Sequence, residues 1–309
     1  MLLRRFSDFI LRDSLRAIGV ALICTFIPLI GTLSVLIAGL VTLRKGAIQG
    51  ALVFLAATLP LLLMYTTSSK HMDEMAMIVL GVILVSNVLT WILAVMLRHY
   101  SNWNMTLEYS AFVALAAIIA IHVCYPNIQL WWETQLHHFL DKVVAALPAT
   151  QDTDIAPKEI SAQLVAMGKR YANGFVFAAV LGNAWLQLIL ARWWQAILFN
   201  PGGLRAELSQ IRLSRLLGII FVVLLALAAW GNTVAFDCMP VLYVTFFAAG
   251  LSLLHSGIAM LRASWIWLLL MYAGIIWLFP MSIVGIAFIA LIDTGIDIRK
   301  QLNRFILKG

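Results

Sequence analysis

The chain has 309 residues, 63% of them hydrophobic and only 11% charged, with a mean hydropathy of +0.97. A soluble domain carries about 25% charged residues and shorter apolar runs, so these values exclude an ordinary cytosolic fold. The formal charge of +7 is read as membrane orientation, because Lys and Arg collect in cytoplasmic loops, and nucleic acid is not an expected partner.

The opening "MLLRRFSDFILRDSLR" carries charge through Arg16. No small-residue cleavage site follows the first apolar run, so that run is expected to stay in the membrane. Near its start, Ala17 and Ala21 flank Gly19. They form a small-residue surface that admits a close helix neighbour, either within the chain or on a coupling partner. Cys24, inside the run, reads as a small core residue.

Apolar segments fall at roughly 17–43, 46–66, 75–97, 106–125, 172–199, 214–231, 239–261 and 264–292. Most are near the ~20 residues that cross a bilayer core. The first and last are too long, at about 40 Å each if they were single helices. Each carries a proline near its middle, Pro28 in "CTFIPLIGTLS" and Pro280 in "WLFPMSIVG", and proline kinks or breaks a helix. Charge chooses between kink and break. Eight plain spans would put Arg44, Lys45, Arg98, Arg192, Arg205, Arg212, Arg215 and Arg262 outside. Splitting both segments into antiparallel pairs brings these inside and leaves only Lys70, Lys142, Lys158, Lys169 and Arg170 outside, which the positive-inside rule prefers. Both termini are then cytoplasmic: residues 1–16, the loop 200–213 and the basic tail 297–309. The loop 126–171 is external.

Within that loop, "PNIQLWWETQLHHFLDKVVAALP" reads as an amphipathic helix with Trp131, Leu136, Phe139, Leu140 and Val143 toward the membrane. Glu133, His137 and Asp141 share one face, as a weak metal site would, but nothing closes a coordination shell and a solvated face is favoured. No cofactor is expected. "ATQDTDIAPKEISAQ" reads as a flexible connection, with Pro157 in the first turn of the next helix. Cys124 and Cys238 fall near segment ends, where a disulfide between them is conceivable. Trp103, Trp193, Trp194, Trp230 and Trp265 are placed as an interfacial belt.

Polar residues deep in spans point to function because lipid penalises them. Asn87, Asn183, Gln187 and His255 are these candidates. They either hydrogen-bond helix to helix or face a common cavity that holds a neutral or zwitterionic ligand. No buried Asp, Glu, Lys or Arg is expected in mid-span, and no Walker loop, zinc or nucleophile motif marks an enzyme.

The stretch "ARWWQAILFNPGGLRAELSQIRLSR" turns the chain at the membrane surface. Pro201 stops the preceding helix at Asn200, and Gly202 and Gly203 are free to take φ > 0. Leu204, Leu208 and Ile211 then share a helical face expected to lie on the bilayer. Arg205 or Arg212 is expected to reach Asp293 and Asp297, which are four apart at a helix end and repel each other unless a cation joins them. The alternative use of these arginines is as a plain topology anchor.

This stretch, with "GLSLLHSGIA" and the closing "IALIDTGIDIRK", resembles the YybS-like family of bacterial inner-membrane proteins over nearly the whole chain. "IPLIGTLSVLIAGLVTLRKGAIQGALV" is similar to the start of the substrate-binding (S) components of energy-coupling-factor transporters. There a short helix, a turn and a second helix precede a Gly-x-x-x-Gly entry, here Gly46 and Gly50. The resemblance implies an all-α, polytopic, S-component-like fold occupying 1–309 as one transmembrane domain, broken at Pro28. It further implies capture of a small molecule for uptake with a membrane coupling subunit, Ala17 and Ala21 being the pair that contacts it. The chain is longer than a usual S component and lacks that family's vitamin-binding motif. The competing reading is a membrane scaffold that carries nothing and recruits a protein through its arginine-rich loop. A homo-oligomer is compatible with either.

Overall fold

The computed structural model describes residues 2–27, 30–68, 73–146 and 157–306. Among them every regular element is an α-helix. In chain order these are α1 (Leu2–Arg12), α2 (Ser14–Thr25), α3 (Gly31–Lys45), α4 (Ala47–Ser68), α5 (Glu74–Tyr100), α6 (Trp103–Cys124) and α7 (Ile128–Ala146). There follow α8 (Pro157–Phe199), α9 (Gly203–Leu208), α10 (Arg215–Ala229), α11 (Thr233–Met260), α12 (Ile266–Trp277), α13 (Met281–Ile296) and α14 (Ile298–Ile306). Polar side chains set several starts. Asp13, Asn102, Ser214 and Asn232 each accept a first-turn backbone N–H, capping α2, α6, α10 and α11. α8 begins at Pro157, whose missing N–H costs nothing in a first turn.

Five helices, α4, α5, α6, α8 and α11, are long and apolar enough to cross a membrane, and α13 with α14 would add a sixth if that pair, bent by 76°, counts as one span. The expected eight segments are therefore not eight spans. Residues 214–231 form only the 15-residue α10. The first and last segments are each two short helices packed together, α2 with α3 and α12 with α13. Pro280 lies in the second break. Pro28 lies outside the described residues, between the ends of α2 and α3.

Interhelical register shows how far these pairs reach. Thr25 Oγ1 donates to the Ala57 carbonyl at 3.2 Å, only about 15 Å along α4. The α2–α3 pair thus turns back near the middle of its neighbour. On the other side, a Cβ on Gly250 would lie 2.6 Å from the Ile286 carbonyl oxygen. That fixes the α12–α13 turn about 22 Å from the end of α11, a helix about 42 Å long. Both pairs are hairpins that enter and leave at one end of the bundle.

α3 and α8 run through the centre. α3 buries nearly all of its second half against α2, α4, α5 and α8. Apolar side chains gain nothing over lipid by meeting each other, so bare backbone decides which helices approach. Gly50 admits Thr42, Gly39 admits Ala191, and Gly218 admits Thr294. Ala17 and Ala21 are 0% exposed, inside a cluster with Val53, Phe54, Ala57 and Trp194. Their small-residue surface is used up within the chain and does not face a coupling partner.

The tryptophan belt needs correction too. Trp193, Trp230 and Trp265 are exposed, but Trp103 and Trp194 are buried. Trp194 donates to Ser7 Oγ at 2.9 Å and stacks on Phe6, fastening α1 to the end of α8. An indole N–H is costly to leave unpaired, and here the protein supplies the acceptor that an interfacial Trp takes from water.

Candidate functional site

Three of the predicted polar residues meet. Gln187 Nε2 donates to Asn87 Oδ1 at 3.2 Å and to Asn183 Oδ1 at 3.5 Å, and Gln187 Oε1 accepts from Thr90 Oγ1 at 2.6 Å. These side chains join α5 to α8 near mid-length and engage one another. His255 does not join them. Its Nδ1 sits 2.8 Å from the Leu251 carbonyl and must donate there, so Nε2 accepts from Tyr272 Oη at 3.1 Å on α12.

The arginine-rich end is a framework of ion pairs. Arg212 Nη1 lies 3.1 Å from Asp297 Oδ2 and its Nε 3.8 Å from Asp293 Oδ2. Arg299 reaches Asp293 from the other side at 3.4 Å and donates to the Ile211 carbonyl, Ser252 and Ser256. Arg205 is exposed, and no ion pair reaches it among the described residues. The turn differs in detail from the sequence expectation. Gly202 takes φ +85°, whereas Gly203 sits under the exposed Asn200 side chain, whose Nδ2 a Cβ there would meet at 2.2 Å and displace. α9 ends at Leu208, so Arg205, Ser209 and Arg212 are not one helical stripe. Leu204 and Ile211 are buried in the main core and Leu208 packs on it, so this face lies inside the protein and not on the bilayer.

A neighbouring pair escaped the sequence reading. Arg192 grips Glu207 through both oxygens, and Trp103 Nε1 donates to Glu207 Oε2 at 3.0 Å. Burial alone would raise the Glu207 pKa, but the Arg192 and Trp103 hydrogen bonds prevail and hold it below its ordinary 4.5. Arg192 and Glu207 line a small cleft of about 150 Å³ with Leu43, Leu97, Arg98, Ser101 and Gln195.

The opposite end holds the constellation that carries chemistry. Asp237, on the second turn of α11, is 1% exposed. The sequence placed no buried acid in mid-span, and Asp237 lies nearer the helix start, just before the apolar run that begins at 239. Its Oδ2 accepts from Asn173 Nδ2 at 2.7 Å and lies 2.9 Å from His122 Nε2, and its Oδ1 accepts from the Gly174 N–H at 2.8 Å. Gly174 is required for this approach: a Cβ would fall 1.9 Å from the Asp237 carbonyl oxygen. Asn173 in turn accepts from Trp132 Nε1 at 2.9 Å. Thus α6, α7, α8 and α11 converge on one carboxylate.

Asn173 also forms part of the wall of a cleft of about 590 Å³, with Ile121, Cys124, Tyr125, Pro126, Asn127, Ile128 and Trp131. That volume is typical of small-molecule sites. α7 reaches the bundle through buried Trp132 and Gln135, which face α8, while Trp131, Phe139 and Val143 stay exposed. Gly168 lets the Leu136 side chain come close to α8. Glu133 pairs with Lys169 at 2.8 Å, and no metal-holding group of His, Cys, Asp and Glu occurs among the described residues. The cysteines are free, Cys124 exposed and Cys238 buried, so they form no disulfide.

No protein-family model, curated protein or solved structure matches this chain. The cleft and its carboxylate are therefore interpreted from their own chemistry.

Proposed function

We propose that this chain is a binding protein of the bacterial inner membrane, which captures a small solute in the cleft between α6, α7 and α8 and acts with a partner in its uptake. The observation that carries this is the buried Asp237, held by His122, Asn173 and Gly174 directly behind a small-molecule-sized cleft. Burying a carboxylate is expensive, and one placed behind a cleft of this size marks a site more often than a scaffold. With the arginine-rich end in the cytoplasm, Asn173 lies about 39 Å from the cytoplasmic end of α8, so the cleft opens outside. The similarity of "IPLIGTLSVLIAGLVTLRKGAIQGALV" to S components, and of the 191–215 stretch to the YybS-like family, supports the same reading. The mid-span Asn87, Asn183 and Gln187 serve as helix-to-helix bonds in it, and binding moves to Asn173 and the aromatic walls.

Recruitment of a protein through the arginine-rich loop is the less favoured reading. Arg192 and Arg212 are engaged inside the chain, leaving Arg205 and Arg215 as the exposed arginines of that stretch. Native mass spectrometry separates the two. The purified protein should retain a small molecule, and Tyr125→Ala should lose it. A copurifying protein with no retained molecule would overturn solute capture.

A further inference from the structure

We infer that the solute taken by this cleft is an organic cation, an amine or ammonium group carried on an apolar body. The inference rests on the cleft being the binding site and adds the chemical class.

Charge around the cleft is one-sided. Asp237 is the buried carboxylate; two of its hydrogen-bond donors, the Asn173 amide and the Gly174 N–H, are neutral, and the third partner is the His122 imidazole at 2.9 Å, a cation only when protonated. The nearby Glu133 and Lys169 cancel each other as a pair. Arg170, one turn from Asn173, is exposed and lies over the Phe236 ring at 5.8 Å, where solvent screens it. No arginine or lysine forms an ion pair with Asp237 among the described residues. A buried carboxylate with no arginine or lysine beside it, and His122 as the one ionisable partner among the described residues, favours a positive guest, because little water intervenes.

The walls fit the same guest. Tyr125 and Trp131 present exposed rings on the cleft, and the faces of such rings attract ammonium groups. Trp131 is held edge-on against buried Trp132 at 4.9 Å between centroids, and Trp132 is itself tied to Asn173. One wall of the cleft is therefore fixed to the group that bonds the carboxylate. Ile121, Pro126 and Ile128 supply apolar surface for the body of the molecule. An anion would meet repulsion from both carboxylate and ring faces, and a neutral guest would gain no charge attraction from either.

The test compares benzyltrimethylammonium with its neutral carbon isostere neopentylbenzene. Binding to the full chain in lipid nanodiscs is read by tryptophan fluorescence, with empty nanodiscs as the partition blank. The cation should bind about tenfold or more tightly than the isostere. Asp237→Asn should abolish the preference. Trp131→Leu, at an exposed wall position, should weaken it severalfold and covers the case in which Asp237→Asn does not fold. Equal binding of the two probes, or a preference that survives both substitutions, would overturn the cationic class. If native mass spectrometry still finds a retained solute in that event, solute capture stands and only the class fails. With no retained solute and no probe bound, both fail.

Discussion

Arg212 closes the end of α13 with a single guanidinium: Nη1 lies 3.1 Å from Asp297 Oδ2, while Nη2 and Nε donate to the Asp293 carbonyl at 2.8 and 3.2 Å. Asp297 is in the left-handed region at φ +51°, a conformation short polar residues tolerate at helix ends. The cation also answers the negative end of the helix dipole. Lysine has one point charge and cannot serve carbonyl and carboxylate together. Arg212→Lys should therefore cost about 1–3 kcal/mol, seen as a lower melting temperature in detergent. Arg205→Lys should change it by less than about 0.5 kcal/mol. Equal sensitivity of the two positions would show that the fork geometry is irrelevant.

The second prediction uses two glycines of one helix. Gly174→Ala places a methyl 1.9 Å from the Asp237 carbonyl oxygen, whereas at Gly182 nothing lies within 4 Å. The first should lose about 1–3 kcal/mol or more through overpacking. The second should be neutral or stabilising by up to about 1 kcal/mol, from helix propensity. Thermal melts of the two variants compare them directly.

Gln187 is the hub of the mid-span bonds. Gln187→Leu leaves Asn87 and Asn183 without its amide and removes one of the acceptors of Thr90, whose bond to the Ser86 carbonyl at 2.8 Å remains. A loss of about 1 kcal/mol is expected, given the modest worth of interhelical bonds in membranes, with the retained solute unaffected. Loss of the solute from a folded variant would return the binding site to mid-span.

Glu207 gives a pH dependence. Its folded pKa lies below the ordinary 4.5, so the Arg192–Glu207–Trp103 bonds contribute fully above that value. The contribution fades as pH falls through the depressed folded value. Melting temperature should drop across the acid range below about pH 4.5, and Glu207→Gln should flatten that part of the profile while lowering stability near neutrality.

Cys124 tests orientation without an added probe site, because Cys24 and Cys238 are buried and Cys124 is exposed. A membrane-impermeant maleimide should label intact spheroplasts at Cys124. Labelling only after permeabilisation would invert the proposed topology.

Much of the architecture was legible because it follows from local chemistry. Apolar length, Pro280 and the placement of Arg and Lys gave the short paired helices at both ends, and like-charge repulsion at Asp293 and Asp297 called for a cation that Arg212 supplies. Burial was less legible. Apolar periodicity cannot distinguish a helix face on lipid from one on protein, so Leu204, Ile211, Trp103 and Trp194 were assigned to the bilayer surface. The Asp237 site was invisible for another reason. Its partners His122, Asn173 and Gly174 come from α6 and α8, and each taken alone is an ordinary residue near a segment end. Only the close approach at Gly174 makes them one site.

A hairpin that regains the face it left exports nothing. If the arginine-rich end is cytoplasmic, as proposed, the short connection around Gly231 and Asn232 between α10 and α11 faces outside. On that topology no polar loop between Arg262 and Ile306 crosses the bilayer. The tip of that late hairpin, including exposed Trp277, Phe279 and Met281, would then end within the hydrocarbon and occupy one side of it more than the other. On the proposed topology the protein would be wider in the inner half of the membrane than in the outer, a taper that would bend or thin the surrounding lipid and set which membranes hold it without strain.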